Sequence, residues 1–151
     1  MDLSKRLKSV TDMVTRGNKV ADIGCDHGYV SIYLIKEKIA MGVIAMDVNK
    51  GPLECARQNV EREGLAGYIE LRLSDGLQAL SGGEVNTIIC AGMGGRLVVK
   101  ILSEGKELLS EMDELILQPQ SEIHLVRQHL YENGFEIVQE NMVFDEGKYY
   151  Q

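Results

Sequence analysis

The segment KVADIGCDHGY, residues 19–29, constrains the fold of this chain more than any other. Val20, Ala21 and Ile23 among its first five residues predict a buried strand, and a helical pattern begins at Tyr29. Gly24 and Gly28 lie in the turn between them, where the absence of a Cβ lets a ligand approach the backbone. The helix start adds unpaired backbone N–H groups. We therefore predict a strand-turn-helix corner that binds a nucleotide or nucleoside.

Composition sets the size and class of the protein. A chain of 151 residues with 44% hydrophobic residues supports one well-packed domain. Sixteen glycines against two prolines, with few aromatic residues, favour an α/β fold with an aliphatic core. No apolar run reaches the ~18 residues of a membrane span, and residues 1–18 lack the apolar core of a signal peptide. We expect a soluble, cytoplasmic protein that does not bind membranes.

Cysteine spacing and charge narrow the possible partners. Cys25, Cys55 and Cys90 are odd in number and form no CxxC pair, so we expect reduced thiols and no metal site. The net charge of −7 argues against a general nucleic-acid coat. Residues 1–19, however, hold five Lys or Arg against two Asp, a local balance of +3. A local basic patch is therefore compatible with the acidic chain.

Apolar strands and amphipathic helices alternate along the sequence. The predicted elements are a helix over 4–15, a strand over 19–23, a helix over 29–38, a strand over 43–46, a helix over 51–63, strands over 68–73 and 86–90, a helix over 95–109, a strand over 114–117, a helix over 122–133 and a strand over 135–144. Crossovers of this length require parallel strands. We predict a doubly wound, mainly parallel Rossmann-like sheet with helices on both faces. The alternating strand 68–73 belongs near an edge.

Ligands of such sheets bind at the carboxyl ends of the strands. The residues at those ends are Asp22, Gly24, Asp26, His27 and Gly28, then Asp47, Asp75 and Gly76, and finally residues 91–95 and 118–120. Asp47 lies 23 residues after Gly24, close to the ~20 expected of a carboxylate that accepts the ribose hydroxyls of a nucleotide. The alternative for Asp47 is an acidic turn residue or a helix cap.

Asp26 separates the candidate cofactors. A pyrophosphate needs the pattern GxGxxG, and Asp26 stands where the second glycine would be, so its carboxylate would repel the phosphates. S-adenosylmethionine carries a sulfonium and an ammonium, which a carboxylate favours. Asp75-Gly76 adds an acceptor for an adenine amino group and a backbone donor, although Asp-Gly alone also marks an ordinary turn. An NAD-dependent oxidoreductase is thereby disfavoured, and a non-catalytic nucleoside-binding or RNA-binding module remains an alternative.

Five short motifs carry a family resemblance. DIGCDHGY, AGMGG and LQPQ occur in this order, preceded by LSKRL and followed by GKYY. In this the chain resembles the bacterial tRNA (adenine-22-N1)-methyltransferases, the TrmK family of class I methyltransferases, over essentially its whole length. The resemblance implies methyl transfer from S-adenosyl-L-methionine to adenine N1 at position 22 of tRNA. It also implies a C-terminal helical extension that grips tRNA, so we expect residues 1–151 to be a methyltransferase domain truncated at its C-terminus, with that extension absent.

The resemblance and the strand-end pattern together predict the residues that bind the cofactor. Gly24, Asp47, Asp75 and Gly76 are implied to hold it, and the loop after the fourth strand is implied to border the transferred methyl group. The predicted cofactor-binding residues are Asp22, Gly24, Asp47, Asp75, Gly76, Ala91, Gly92 and Met93. For Met93, packing between its glycine neighbours is the alternative.

Methyl transfer to a free lone pair requires positioning more than proton removal. The adenine ring becomes cationic, and Asp26 is the candidate that stabilises this charge, with a helix cap as its alternative. His27 is expected to stack on or hydrogen-bond the base, or to be structural. Gln118 is expected to read the adenine edge. These three residues form the predicted catalytic set.

The predicted RNA contacts are Lys5, Arg6 and Tyr149. Lys5 and Arg6 lie on the first helix, from which they can meet phosphate, whereas a solvated helix face is the alternative. Tyr149 can stack on a base or be an ordinary strand tyrosine. The expected partner is tRNA, and the sequence leaves a monomer and a weak dimer both open.

Overall fold

The computed structural model describes residues 3–151 and contains a five-stranded parallel sheet. Its strands are β1 (Lys19–Ile23), β2 (Gly42–Asp47), β3 (Ile69–Leu73), β4 (Thr87–Met93) and β5 (Glu114–Pro119). They pair in the order β3-β2-β1-β4-β5, and every neighbouring pair is parallel. The predicted doubly wound sheet is confirmed, with β3 at an edge as expected. The strand order reverses between β1 and β4, which makes their carboxyl ends the expected ligand crevice.

Helices cover both faces of the sheet. The helices are α1 (Lys5–Asp12), α2 (Tyr29–Lys36), α3 (Lys50–Arg62), α4 (Gly95–Glu104), α5 (Lys106–Leu109) and α6 (Ile123–Glu132). The neighbouring strand residues Val20 and Ala21 belong to two different apolar clusters, one packed under α1 to α3 and the other under α4 to α6. This alternation shows that β1 is buried on both faces. None of the helices among the described residues is both long enough and apolar enough to cross a membrane.

The predicted helix over 95–109 is interrupted, and Gly105 marks the break between α4 and α5. A Cβ at Gly105 would collide with the side chain of Leu77, which packs against the backbone there. The break thus lets a residue from the β3–β4 connection enter the core.

The C-terminal region differs from the prediction of a strand over 135–144, which is wrong. Residues 135–142 form no regular strand, whereas β6 (Val143–Asp145) and β7 (Lys148–Tyr150) form a separate antiparallel hairpin. Glu146 and Gly147 between them both have positive φ, of 50° and 79°, as a two-residue hairpin turn requires. Local pairing therefore takes the place of pairing with β5, and a cavity of about 570 Å³ separates residues 135–141 from that edge strand.

Candidate functional site

The corner after β1 is a tight turn fixed to β2. The backbone N–H groups of Gly24 and Cys25 both donate to the carbonyl of Met46, each at 2.8 Å. Gly24 has a φ of +72° and Asp26 a φ of +52°, the left-handed region in which Asp is one of the tolerated residues. The chain thus reverses direction within a few residues and leads directly into α2.

Asp47 ties three strand ends together. Its carboxylate, which is buried, accepts the backbone N–H of Asp26 at 3.1 Å on one oxygen and that of Asn49 at 2.9 Å on the other. The N–H of Ser74, just after β3, donates to the Asp47 carbonyl at 3.0 Å. A carboxylate oxygen can accept two hydrogen bonds, and each Asp47 oxygen accepts one from these N–H groups. Both oxygens can therefore still accept a hydrogen bond from a hydroxyl group. Asp47 therefore supports the corner and keeps acceptor capacity for a ligand.

A second carboxylate, Asp22, lies at the end of β1 and is only 4% exposed. The hydroxyl of Ser31 in α2 donates to its Oδ2 at 2.7 Å. The pKa of Asp22 is raised to about 6, mainly by burial, with the hydrogen bond from Ser31 opposing the rise and the charge of Asp47 adding to it. Two buried carboxylates at one strand edge favour a cationic ligand over an anionic one.

The surroundings of Cys25, the cysteine of the corner, favour the protonated thiol. Cys25 is buried, and burial together with the charges of Asp22 and Asp47 raises the pKa of its thiol well above the usual range. The thiolate is the nucleophilic form of cysteine, and this site disfavours it. A reaction that proceeds through a covalent adduct of Cys25 is therefore disfavoured, whereas direct attack by a substrate atom needs no thiolate.

The end of β4 faces the corner. The Cε of Met93 lies 2.5 Å from the position that a Cβ on Gly24 would occupy. A Cβ at residue 24 would thus meet the terminal methyl of Met93, which is flexible enough to shift, so the positive φ is the stronger reason for glycine at this position. Met93 thereby closes the crevice between β1 and β4.

Gln118 at the end of β5 has a fixed amide orientation. Its Oε1 accepts the N–H of Gly92 at 3.0 Å and the Nη1 of Arg6 at 2.7 Å. Turning the amide over would set its NH2 group against these two donors, so the orientation is determined by the hydrogen bonds. The Nε2 is buried and has no hydrogen-bond partner among residues 3–151. The group of Gln118 that is left without a hydrogen bond is therefore a donor.

The loops after β4 and β5 are joined along their length. The N–H of Gly95 donates to the Ser121 carbonyl at 2.9 Å, and the N–H of Gln120 donates to the Met93 carbonyl at 2.8 Å. Arg96 forms an ion pair with Glu122 at 2.9 Å. The two loops behave as one unit that holds Met93 and Gly92 at the crevice.

The outer rim of the corner carries an acid, an imidazole and a phenol. The Nδ1 of His27 lies 3.0 Å from Oδ1 of Asp26, whose side chain is 70% exposed. The His27 ring stacks on Tyr29 with centroids 5.6 Å apart. The side-chain amide of Asn59 in α3 donates to the His27 carbonyl at 2.9 Å. These contacts hold polar and aromatic groups at the mouth of the crevice.

Comparison with known proteins assigns the family. A family described as a methyltransferase domain matches residues 3–151. The chain belongs to this methyltransferase domain family. It is 38% identical over 151 residues to the tRNA (adenine(22)-N(1))-methyltransferase of Bacillus subtilis, an alignment that covers 100% of this chain and 63% of the relative.

Two solved structures of relatives contain a cofactor or its product. The structure of Streptococcus pneumoniae Sp1610 in complex with S-adenosyl-L-methionine matches this methyltransferase domain with a TM-score of 0.96 and 40% identity, over 99% of this chain and 70% of that one. The structure of M. capricolum TrmK with S-adenosyl-homocysteine matches with a TM-score of 0.89 and 29% identity, over 98% and 66%. The resemblance to the TrmK family that the motifs indicate is confirmed. The chain spans 63% of the length of its Bacillus subtilis relative.

The structure brings most of the predicted cofactor residues of the methyltransferase domain to one edge of the sheet. Around the corner lie Asp22, Gly24, Asp47 and Met93, with Ala91 and Gly92 beside them in β4. Asp75 and Gly76 follow β3, where Asp75 is exposed and Gly76 has a φ of +58°. Their roles stay predictions, and the geometry is compatible with one extended ligand along these strand ends.

Of the three residues predicted to contact RNA, Lys5 and Tyr149 are exposed, whereas Arg6 points into the domain. Lys5 is exposed on α1, whereas the guanidinium of Arg6 points inward to Gln118 and lies over the ring of Tyr150, 5.5 Å from its centroid. Tyr149 is 72% exposed in the hairpin and packs on Phe144. Arg6 thus links α1, β5 and the hairpin, a role that the sequence did not indicate.

Sequence reasoning missed Ser31, Asn59 and Tyr29. Ser31 and Asn59 are ordinary helix residues in the sequence, and only the packing of α2 and α3 brings them to Asp22 and His27. Tyr29 did carry a signal, because it is an aromatic residue at the first position of the helix that follows the predicted binding corner.

Proposed function

We propose that this protein is an S-adenosyl-L-methionine-dependent methyltransferase that modifies N1 of the adenine at position 22 of tRNA. The observation that carries the proposal is the carboxylate-lined corner, in which Asp22 and Asp47 lie beside Gly24 at the switch point of the sheet. The corner fits a cationic adenosine cofactor because it offers carboxylate acceptors, whereas the N–H groups of Gly24, Cys25 and Asp26 already donate to Met46 and Asp47 and cannot cradle a pyrophosphate. A tRNA substrate also implies a cytoplasmic protein.

The predicted cofactor contacts divide along the strand ends. Asp47 would accept the ribose hydroxyls, Asp75 and Gly76 would hold the adenine, and Asp22 would favour the positive charge. Ala91, Gly92 and Met93 would border the reacting carbon. When bound, the cofactor supplies an electrophilic methyl group on a sulfonium.

The residues of the chain itself position the base and balance its charge. Adenine N1 has a free lone pair, so no general base is needed, and positioning supplies the main catalytic effect. The exposed carboxylate of Asp26 would stabilise the positive charge that develops on the ring, with His27 beside it. Because Oε1 of Gln118 is already filled by two donors, we assign Gln118 a donor role toward an acceptor atom of the substrate.

We assign the recognition of tRNA to the surface around α1. Lys5 and Lys8 are exposed there, and phosphate contacts from such residues give affinity without sequence readout. Arg6 would act by holding Gln118, and Tyr149 offers an exposed ring on the neighbouring hairpin. We propose residues 1–151 as the domain that binds the cofactor.

Calorimetric titration with S-adenosylhomocysteine and with NAD tests the cofactor assignment. We expect binding of the first and none of the second, because Asp26 stands near the position of a pyrophosphate. Tight NAD binding without S-adenosylhomocysteine binding would refute the proposal. Mass analysis of nucleosides from tRNA incubated with the protein and S-adenosyl-L-methionine then tests the base and atom, and a product other than 1-methyladenosine would refute that part.

Replacement of Asp47 by alanine is expected to weaken S-adenosylhomocysteine binding about 30-fold. Losing a charged hydrogen-bond acceptor costs about 2 kcal/mol, which corresponds to this factor. Calorimetry measures the affinity, and thermal unfolding verifies that the variant is folded. Asp113→Ala is the matched control, since Asp113 is exposed just before β5 at the opposite edge of the sheet. An equal loss of affinity for S-adenosylhomocysteine in both variants would exclude a specific role of Asp47 in binding the cofactor.

A further inference from the structure

The rings of His27 and Tyr29 form an exposed stack at the mouth of the crevice. Their planes differ by 13°, and the centroids lie 5.6 Å apart. Tyr29 is 45% exposed, and the side chain of His27 is 44% exposed. Neither ring belongs to the two apolar clusters that form the core. The fold therefore presents a flat aromatic surface that its own packing does not use.

The backbone beneath this stack is held in place from both sides. Asp47 accepts the N–H of Asp26 at 3.1 Å, and the amide of Asn59 donates to the carbonyl of His27 at 2.9 Å. A Cβ on Gly28, between the two rings in sequence, would lie 3.2 Å from the Cβ of Ala56, so α2 begins in close contact with α3. The stack is preorganised, which lowers the entropic cost of binding a planar ligand.

We propose that His27 and Tyr29 together form a stacking platform for the target adenine, with Tyr29 as a substrate-binding residue. This inference rests on the proposed function. A base that is methylated on its Watson–Crick edge must leave its pairing and stacking in the RNA, and an aromatic surface replaces the lost stacking. The carboxylate of Asp26, 3.0 Å from the His27 ring, lies where it can offset the charge of the methylated base.

Kinetics of Tyr29→Leu and Tyr29→Phe test the platform. Stacking on an aromatic side chain changes affinity by roughly 10- to 100-fold, so Tyr29→Leu should lower kcat/KM for tRNA by about tenfold or more. Tyr29→Phe keeps the ring and should stay within about threefold of the wild type. The affinity for S-adenosylhomocysteine should remain unchanged in both. Tyr131→Leu is the matched control, because Tyr131 is 85% exposed on α6.

A second measurement does not depend on turnover. An RNA hairpin with 2-aminopurine at the target position should be more fluorescent when bound to Tyr29→Leu than when bound to the wild type, because stacking on the platform quenches a base that has left the RNA stack. Wild-type kcat/KM and wild-type quenching in Tyr29→Leu would overturn the platform. If Tyr29→Leu does not fold, His27→Leu provides the same comparison. A wild type that quenches but transfers no methyl group refutes the proposed function and leaves the quenching comparison to decide the platform.

Discussion

Replacement of Gly95 by alanine is expected to destabilise the fold by about 3 kcal/mol, the upper range for overpacking a tight contact. A Cβ at this position would lie 2.4 Å from the carbonyl oxygen of Ser121 and 2.6 Å from that of Glu122. Both are backbone atoms, so no side-chain rotation relieves the collision. The loop also cannot withdraw freely, because the N–H of Gly95 donates to the Ser121 carbonyl at 2.9 Å.

Denaturant unfolding with Gly51→Ala as the control measures this effect. Gly51 lies in the first turn of α3, and nothing is within 4 Å of a Cβ placed there. Alanine at an unstrained helical site should be neutral or stabilising by about 0.5–1 kcal/mol. A Gly95→Ala variant as stable as the wild type would show that the joined loops after β4 and β5 yield easily. If the loops shift to relieve the collision, Met93 and Gly92 move with them, and the affinity for the cofactor falls as well.

The sheet was predictable because four of its strands are short, mainly apolar runs that end near a polar or glycine residue, and the fifth, β3, alternates apolar and polar residues as an edge strand does. The predicted strand 43–46 is observed as Gly42–Asp47, and the predicted 19–23 is observed unchanged. Parallel strands place their carboxyl ends together, so Asp22, Asp47 and Gly24 were predicted to meet without knowledge of any contact. The site residues whose positions depend only on where the strands end could therefore be predicted from the sequence.

The side-chain contacts of the site were not predictable, because they depend on how the helices pack against the strand ends. Arg6 reaches Gln118 and Ser31 reaches Asp22 through the packing of α1 and α2, which leaves no periodic signal in the sequence. The apolar residues within 135–144 favour a strand, but a strand also needs a partner. The turn at residues 146–147 gives its last residues a local partner in β7 instead.

Asp22 is expected to make the stability of the fold depend on pH in the direction opposite to most carboxylates. Its pKa rises from the ordinary 3.8 to about 6 because the carboxyl is buried, with a further contribution from the charge of Asp47. The folded protein therefore binds more protons than the unfolded chain between these values, so this group lowers stability as pH rises from about 4 to 6. Above that range the full cost is about 3 kcal/mol, and below it the cost disappears.

Asp22→Asn isolates this contribution, because asparagine keeps the shape and an acceptor for Ser31 but has no charge. The stability of the variant relative to the wild type should increase by about 3 kcal/mol between pH 4 and pH 8. The change with pH is the informative quantity, since the added NH2 group has a constant desolvation cost of about 1–3 kcal/mol. Asp75→Asn, at an exposed position, serves as the control. A stability difference between Asp22→Asn and the wild type that does not vary with pH would contradict a buried Asp22 that ionises in this range. If S-adenosyl-L-methionine reduces this stability difference at pH 8, Asp22 lies close to the positive charge of the cofactor. The reason is that a bound positive charge offsets the cost of ionising Asp22 in the folded protein.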